Sequence, residues 1–273
     1  MGPELLFSLI LVGVLAGVMG ALFGIGGGML IVPILVIFYG LAAKDAAAIS
    51  LVGIVATSVG ASAVYVDKGI SNIRLGLYLE ITTVIGAIAG VIFATFISNT
   101  ALTLIFSLVL VYSGIRMILN PELAVEPKDC NGKYCFTYYD EVRKKNVGYE
   151  VQNVKSGAAM CTVAGVVASM TGVGGGAIKV PIMNLHMHVP IKAAAATSNY
   201  MIGITAFAGA ILYFVMGDVP LAFAGAVAVG GFLGSMVGTK ITSFVDGKSL
   251  RRYFSVLLFF IAAVMAIDAG GLF

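Results

Sequence analysis

One offset organises this chain: moved along by 148 residues, the sequence matches itself without a gap. Gly17 falls on Gly165, Val18 on Val166 and Gly24 on Gly172. Gly26, Gly27 and Gly28 fall on Gly174, Gly175 and Gly176, and Pro33 on Pro181. Lys44 lands on Lys192, Ala46 to Ala48 on Ala194 to Ala196, and Ser50 on Ser198. Thr57, Tyr65, Gly69, Gly86 and Gly90 land on Thr205, Tyr213, Gly217, Gly234 and Gly238. Chance likeness between apolar segments does not hold a glycine triplet and a proline in register. The chain is one unit written twice. Residues 1–119 and 155–273 are the copies, and 120–154 is the polar segment between them.

What the unit can be follows from its solvent. Of 273 residues 60% are hydrophobic and 11% charged, and the mean hydropathy is +1.05. That is too little charge to coat a soluble domain, and apolar runs of about 20 residues recur, the length that crosses a bilayer. The reading is an all-α integral membrane protein, multi-pass, in the plasma membrane. The 35 glycines suit close helix–helix approach. Met1 to Leu22 has no basic leading region and reads as a first span, not a cleaved signal. The net charge of +3 carries no argument for nucleic acid. The expected partners are the lipid bilayer and a small solute; pairing into a homodimer stays open.

Each copy repeats one string of elements. The first has a long helix over Glu4–Leu22, the G-I-G-G-G break, a short helix over Met29–Gly40, and full spans over Asp45–Val66, Ile73–Ile97 and Ala101–Leu119. The second predicts Lys155–Met170, Ala177–Met187, Ile191–Met216, Pro220–Val245 and Lys248–Asp268. A helix of a dozen residues is roughly 18 Å long, short of a hydrocarbon core of about 30 Å. It should therefore re-enter the membrane without crossing it, or tilt strongly. Proline is tolerated in its first turn. In the middle segment, Phe136–Glu141 and Val147–Asn153 carry β-formers around an Arg143–Asn146 turn and predict a small hairpin outside the bilayer.

Basic residues mark the cytoplasmic side. In the first copy they are Lys68, Arg74, Arg116 and the middle segment; in the second, Lys192, Lys240, Lys248, Arg251 and Arg252. Both sets reach one side only if the copies are inverted, which needs an odd number of crossings per unit. A returning broken pair plus three spans satisfies that, with both termini outside and the hairpin inside. Lys44 is the exception.

Inverted repeats with broken helices build their sites near the midplane. A helix that begins there aims free N–H groups and its positive end at an anion. The candidate substrate contacts are Gly26, Gly27 and Gly28 with Gly174, Gly175 and Gly176. Gly24, Pro33, Gly172 and Pro181 frame them. Lys179 lies three residues past the second triplet, where its counterpart is Ile31; a lysine in a membrane segment is costly and points to a site, unless it snorkels. The next span supplies Ser50, Thr57 and Ser58, then Thr197, Ser198, Asn199 and Thr205. These can bind an oxyanion or serve as interhelical glue. Glu80, opposite Ala228, would carry a coupling proton if buried; the alternatives are a place near the interface or a pair with Arg74. His186 and His188 have no third ligand nearby and read as interfacial, so no metal is expected. Cys161 reads as packing. Cys130 and Cys135 cannot close a zinc site alone; they read as free, disulfide-bonded or completed by another chain.

G-I-G-G-G-x4-P and G-V-G-G-G-x4-P, each ahead of an alanine-rich span opening on small hydroxyl residues, resemble the TauE/SafE family. The resemblance covers nearly the whole chain. It implies a permease for sulfite, sulfoacetate or related sulfonates, acting as an exporter, with no cofactor. The C-x4-C lies outside the family's core pattern. No P-loop supports ATP drive, and no catalytic pair supports an intramembrane enzyme. A channel or carrier for a cation or another small organic anion remains the alternative.

Overall fold

The computed structural model describes residues 3–41, 43–93, 107–108, 111–112, 114–115, 118–119, 134–171, 174–215 and 221–269. In the first copy these form α1 (Pro3–Phe23), α2 (Gly28–Tyr39), α3 (Ala43–Asp67) and α4 (Ile73–Phe93). The strands β1 (Cys135–Asp140) and β2 (Lys145–Glu150) follow. The second copy gives α5 (Val154–Thr171), α6 (Gly176–Pro181), α7 (Ile191–Val215), α8 (Leu221–Thr242) and α9 (Gly247–Ala269). Five of them, α1, α3, α4, α7 and α8, are long and apolar enough to cross a membrane. Most of the span expected at 101–119 lies outside the described residues; the described ones among them are helical.

The short helices fold back on the long ones before them. Gly27 precedes α2 with φ +83, and Gly40 ends it at φ +62 with its N–H on Leu35 O, a glycine-based helix stop. Tyr39 Oη then donates to Ser8 Oγ at 2.8 Å, so α2 runs back along α1. In the second copy, the His186 ring shares a 2.8 Å hydrogen bond with Ser156 Oγ, and Gln152 N–H donates to Met187 O at 3.1 Å. Here the expected uniform helix over Ala177–Met187 needs correction. It is α-helical only to Pro181 and widens into a π turn over Ile182–His186. Asn184, whose counterpart is Val36, donates to Val189 O at 2.9 Å and holds the segment beyond the widened turn.

Backbone-to-backbone seams join the halves. A Cβ at Gly234 would fall on Val14 O, at Gly238 on Val18 O and at Gly17 on Gly231 O, so α1 and α8 lie side by side and parallel. The same contacts recur between α5 and α4: Gly86 on Thr162 O, Gly90 on Val166 O, Gly165 on Thr83 O. Each recurring pair is the first with its residues moved by 148 in opposite directions. Each of these contacts has a glycine on at least one side, because only glycine lets two backbones come this close.

α3 and α7 occupy the centre. Ser58 meets Asn199 and Gly203, while Leu51 meets Gly209, so these counterpart helices run antiparallel. The outer surface is apolar, with Phe7, Ile81, Phe214 and Val229 all more than half exposed.

The hairpin is antiparallel, pairing Cys135 with Glu150 and Asp140 with Lys145. Its strands end earlier than the sequence suggests because Asp140 Oδ1 accepts the N–H groups of Val142 (2.9 Å) and Arg143 (3.3 Å) and closes the turn. Asn153 at φ +52 then breaks the chain away into α5. Cys135 is disulfide-bonded; Cys130 lies outside the described residues. Tyr138, Val147 and Tyr149 are buried in the main core, so the hairpin is docked on the helices.

Candidate functional site

The two glycine bends meet. Gly26 (φ +72) and Gly174 (φ +81) each face both Ile54 and Ile202, and those isoleucines are counterparts of one another near the middles of α3 and α7. Gly176 packs on Gly24 O and Ile25 Cα. The positive φ values are conformations that cost a side chain and not glycine, which explains the residue type at Gly26, Gly27, Gly174 and Gly175. Gly28 and Gly176 open the short helices, with Pro33 and Pro181 inside them. Gly172 lies outside the described residues.

Beside the second bend sits a buried ion pair. Lys179 is fully buried. Its Nζ donates to Glu80 Oε2 at 3.1 Å and to Thr205 Oγ1 at 2.8 Å. The Thr205 hydroxyl in turn donates to Glu80 Oε1, closing a three-membered ring. Glu80 comes from α4 of the first copy, Lys179 from α6 and Thr205 from α7 of the second. The lysine stem passes Gly175, where an added Cβ would stand 3.6 Å from Cε. Glu80 is therefore buried and paired with Lys179, not with Arg74. Lys179 does not snorkel: its Nζ is turned inward to the Glu80 carboxyl, and in an apolar surround each charge needs the other.

The hydroxyl and amide candidates divide. Ser58 donates to Asn199 O, Ser198 Oγ to Gly24 O at 2.6 Å and Asn199 Nδ2 to Ala21 O at 2.8 Å. Thr197 Oγ1 accepts from Asn72 N–H at 2.9 Å. These four join helices to backbone. Ser50 is fully buried. Thr57 Oγ1 and Asn199 Oδ1 are buried without a hydrogen-bond partner among the described residues. Thr57 is the counterpart of Thr205, but the positions matching Glu80 and Lys179 are Ala228 and Ile31, so its hydroxyl has no ion pair to join. Cys161 is buried. Among the described residues no cluster could hold a metal.

The family described as sulfite exporter TauE/SafE matches residues 9–265, almost the full length and both glycine bends. This chain belongs to that family. A probable membrane transporter protein of Bacillus subtilis, YunE, is 25% identical across 95% of this chain and 97% of its own length. One from Haemophilus influenzae is 28% identical across 96% of both chains. A sulfite exporter TauE/SafE family protein of Arabidopsis thaliana is 25% identical across 49% of this chain and 32% of its own. No solved structure matches. As a TauE/SafE protein the chain is a multi-pass membrane transporter.

A second polar region of this TauE/SafE chain has no counterpart in the sequence reading. Under the hairpin, Lys192 Nζ lies 3.0 Å from Asp140 Oδ1, both nearly buried. Lys68 Nζ binds Glu141 at 3.0 Å and Ser243 Oγ at 2.8 Å. Burial acts to raise the Asp140 carboxyl, but the hydrogen bond and charge of Lys192 and the turn N–H groups outweigh it and hold it below the usual range. Tyr149, hydrogen-bonded by Asn72, is pushed up to about 12 by burial. These contacts bring Lys68 and Lys192, from opposite copies, to the same end of the molecule.

Proposed function

We propose that this chain is a proton-coupled secondary transporter of a small sulfur oxyanion, sulfite or an organosulfonate, built as an inverted repeat. The inversion is supported by antiparallel α3 and α7 and by contacts that recur with the copies exchanged. The α1–α2 and α5–α6 pairs are re-entrant, and the hairpin side, rich in lysine, is cytoplasmic.

The observation that carries the reading is the buried Lys179, whose anionic partner Glu80 comes from the other half. Protonating Glu80 removes that partner. Lys179 and the Thr205 hydroxyl then turn to an incoming oxyanion beside the second glycine bend. Empty, the site holds Glu⁻ and Lys⁺; loaded, it holds neutral Glu80, Lys⁺ and a monoanion. Both forms have zero net charge, so both can pass through the occluded state at the same electrostatic cost. Such a carrier moves one proton with one monoanion. It runs in either direction, and export follows when the cell produces the anion.

The test presents labelled bisulfite or a monoanionic alkylsulfonate to proteoliposomes. A proton gradient should drive accumulation without generating a membrane potential. Glu80→Gln should leave anion exchange but lose the response to pH, and Lys179→Ala should lose both. Gradient-driven accumulation by Glu80→Gln would overturn the coupling.

A further inference from the structure

A cleft lies between the hairpin and the helix ends, lined by Tyr65, Tyr138, Asp140, Lys192, Thr239 and Thr242. Directly beneath it polar atoms run to the first glycine bend. Tyr65 Oη donates to Ala21 O at 3.1 Å and shares a 2.8 Å hydrogen bond with Thr242 Oγ1. Asn199 Nδ2 reaches the same Ala21 O from below, beside its own unpartnered Oδ1. Ser198 then binds Gly24 O in the bend itself. One side chain, Tyr65, ties α3 to α1 and α8 where this polar file meets the cleft.

We propose that Tyr65 is the gate on the hairpin side of the translocation path, closing the route from this cleft to the glycine bends. The proposal rests on the transport reading above. Tyr65 is 2% exposed and packs among Ala21, Ala61 and Ala196. Among such small neighbours, with Ile70 packed at the edge, the ring is the bulk of the plug, and swinging it out breaks two hydrogen bonds and no ion pair. The repeat supplies the matching part: Tyr213, also buried, is the counterpart of Tyr65. Because α3 and α7 run antiparallel, the two tyrosines stand at opposite ends of the molecule, with Ile54 and Ile202 between them. One tyrosine per face is what a two-sided gate requires.

The test is accessibility, which is independent of substrate. Ala61→Cys, in a background with Cys130, Cys135 and Cys161 replaced by alanine, places one thiol behind Tyr65. A membrane-impermeant maleimide is added to the hairpin side or to the other side of sealed vesicles. Labelling from the hairpin side reports local opening and should rise by about tenfold or more with Tyr65→Ala. Tyr65→Phe and Thr242→Val keep the ring and remove hydrogen bonds, and should give smaller rises. Tyr213→Ala should leave hairpin-side labelling unchanged. Equal labelling in all variants, or an equal rise with Tyr213→Ala, overturns the gate. Failure of sulfite uptake with the labelling pattern intact overturns the substrate and leaves the gate standing.

Discussion

Lys179 Nζ stands 3.1 Å from Glu80 Oε2, and at the 148-residue offset both partners turn apolar together, Lys179 to Ile31 and Glu80 to Ala228. A contact between the halves is matched by a second with the copies exchanged, so both members of a buried pair must change or neither. Removing one member strands the other charge at about 3–5 kcal/mol. Lys179→Met and Glu80→Leu alone should therefore each lower thermal stability in detergent strongly. The double variant should recover most of the loss while transporting nothing. A double variant as unstable as the sum of the singles would mean the two charges are not coupled. Wild-type uptake by it would reduce the pair to a structural tie.

The glycine seams make a second, purely structural prediction. A Cβ at Gly17 meets Gly231 O and one at Gly165 meets Thr83 O; neither obstacle is a side chain that can rotate away. Gly17→Ala and Gly165→Ala should each cost about 1–3 kcal/mol as the helices are forced apart. At Gly225 in α8 an added methyl meets nothing within 4 Å. Gly225→Ala should gain up to about 1 kcal/mol from helix propensity. Chemical unfolding of the three variants in mild detergent checks the order. Equal effects would remove close packing as the reason for these glycines.

Much of this was legible before any coordinates. The offset predicted that the two bends are equivalent, and hydropathy marked the helices they interrupt. The partner of Lys179 was legible too, in the joint loss of Glu80 and Lys179 from their counterpart positions, but only to a reading that treats the repeat as a contact rule. Hydroxyl residues gave no such signal. Ser198 and Thr205 are both small hydroxyl residues on one helix, yet one binds a backbone carbonyl and the other an ion pair. What separates them is the tertiary neighbour. The Asp140–Lys192 pair was illegible for the same reason, since the hairpin has no second copy against which to compare it.

The hairpin latch should respond to acid. The Asp140 carboxyl is held below its ordinary range, so docking gains stability above the unfolded value of about 3.9 and loses it as pH falls through the lower folded value. Hydrogen-exchange protection of the Tyr138 to Asp140 amides, taken relative to their intrinsic rates at each pH, should hold from neutral pH down to about 4 and fall below it. Asp140→Asn removes the titrating group and should exchange faster throughout, without an acid step. An acid step of the same size in Asp140→Asn would assign it to another group.

The arrangement of the halves makes the final prediction. α3 ends beside the hairpin, with Lys68 on Glu141, and α1 runs parallel to α3 through their shared partner α8. α2 folds back along α1 until Tyr39 reaches Ser8, so Gly40 belongs at the end of the molecule remote from the hairpin. A cysteine at Gly40 and one at Lys145 in the hairpin turn should label from opposite sides of a sealed vesicle. If instead α2 carried on across the membrane, Gly40 and Lys145 would label from the same side. The first copy would then have an even number of crossings, and the second could not be its inverse.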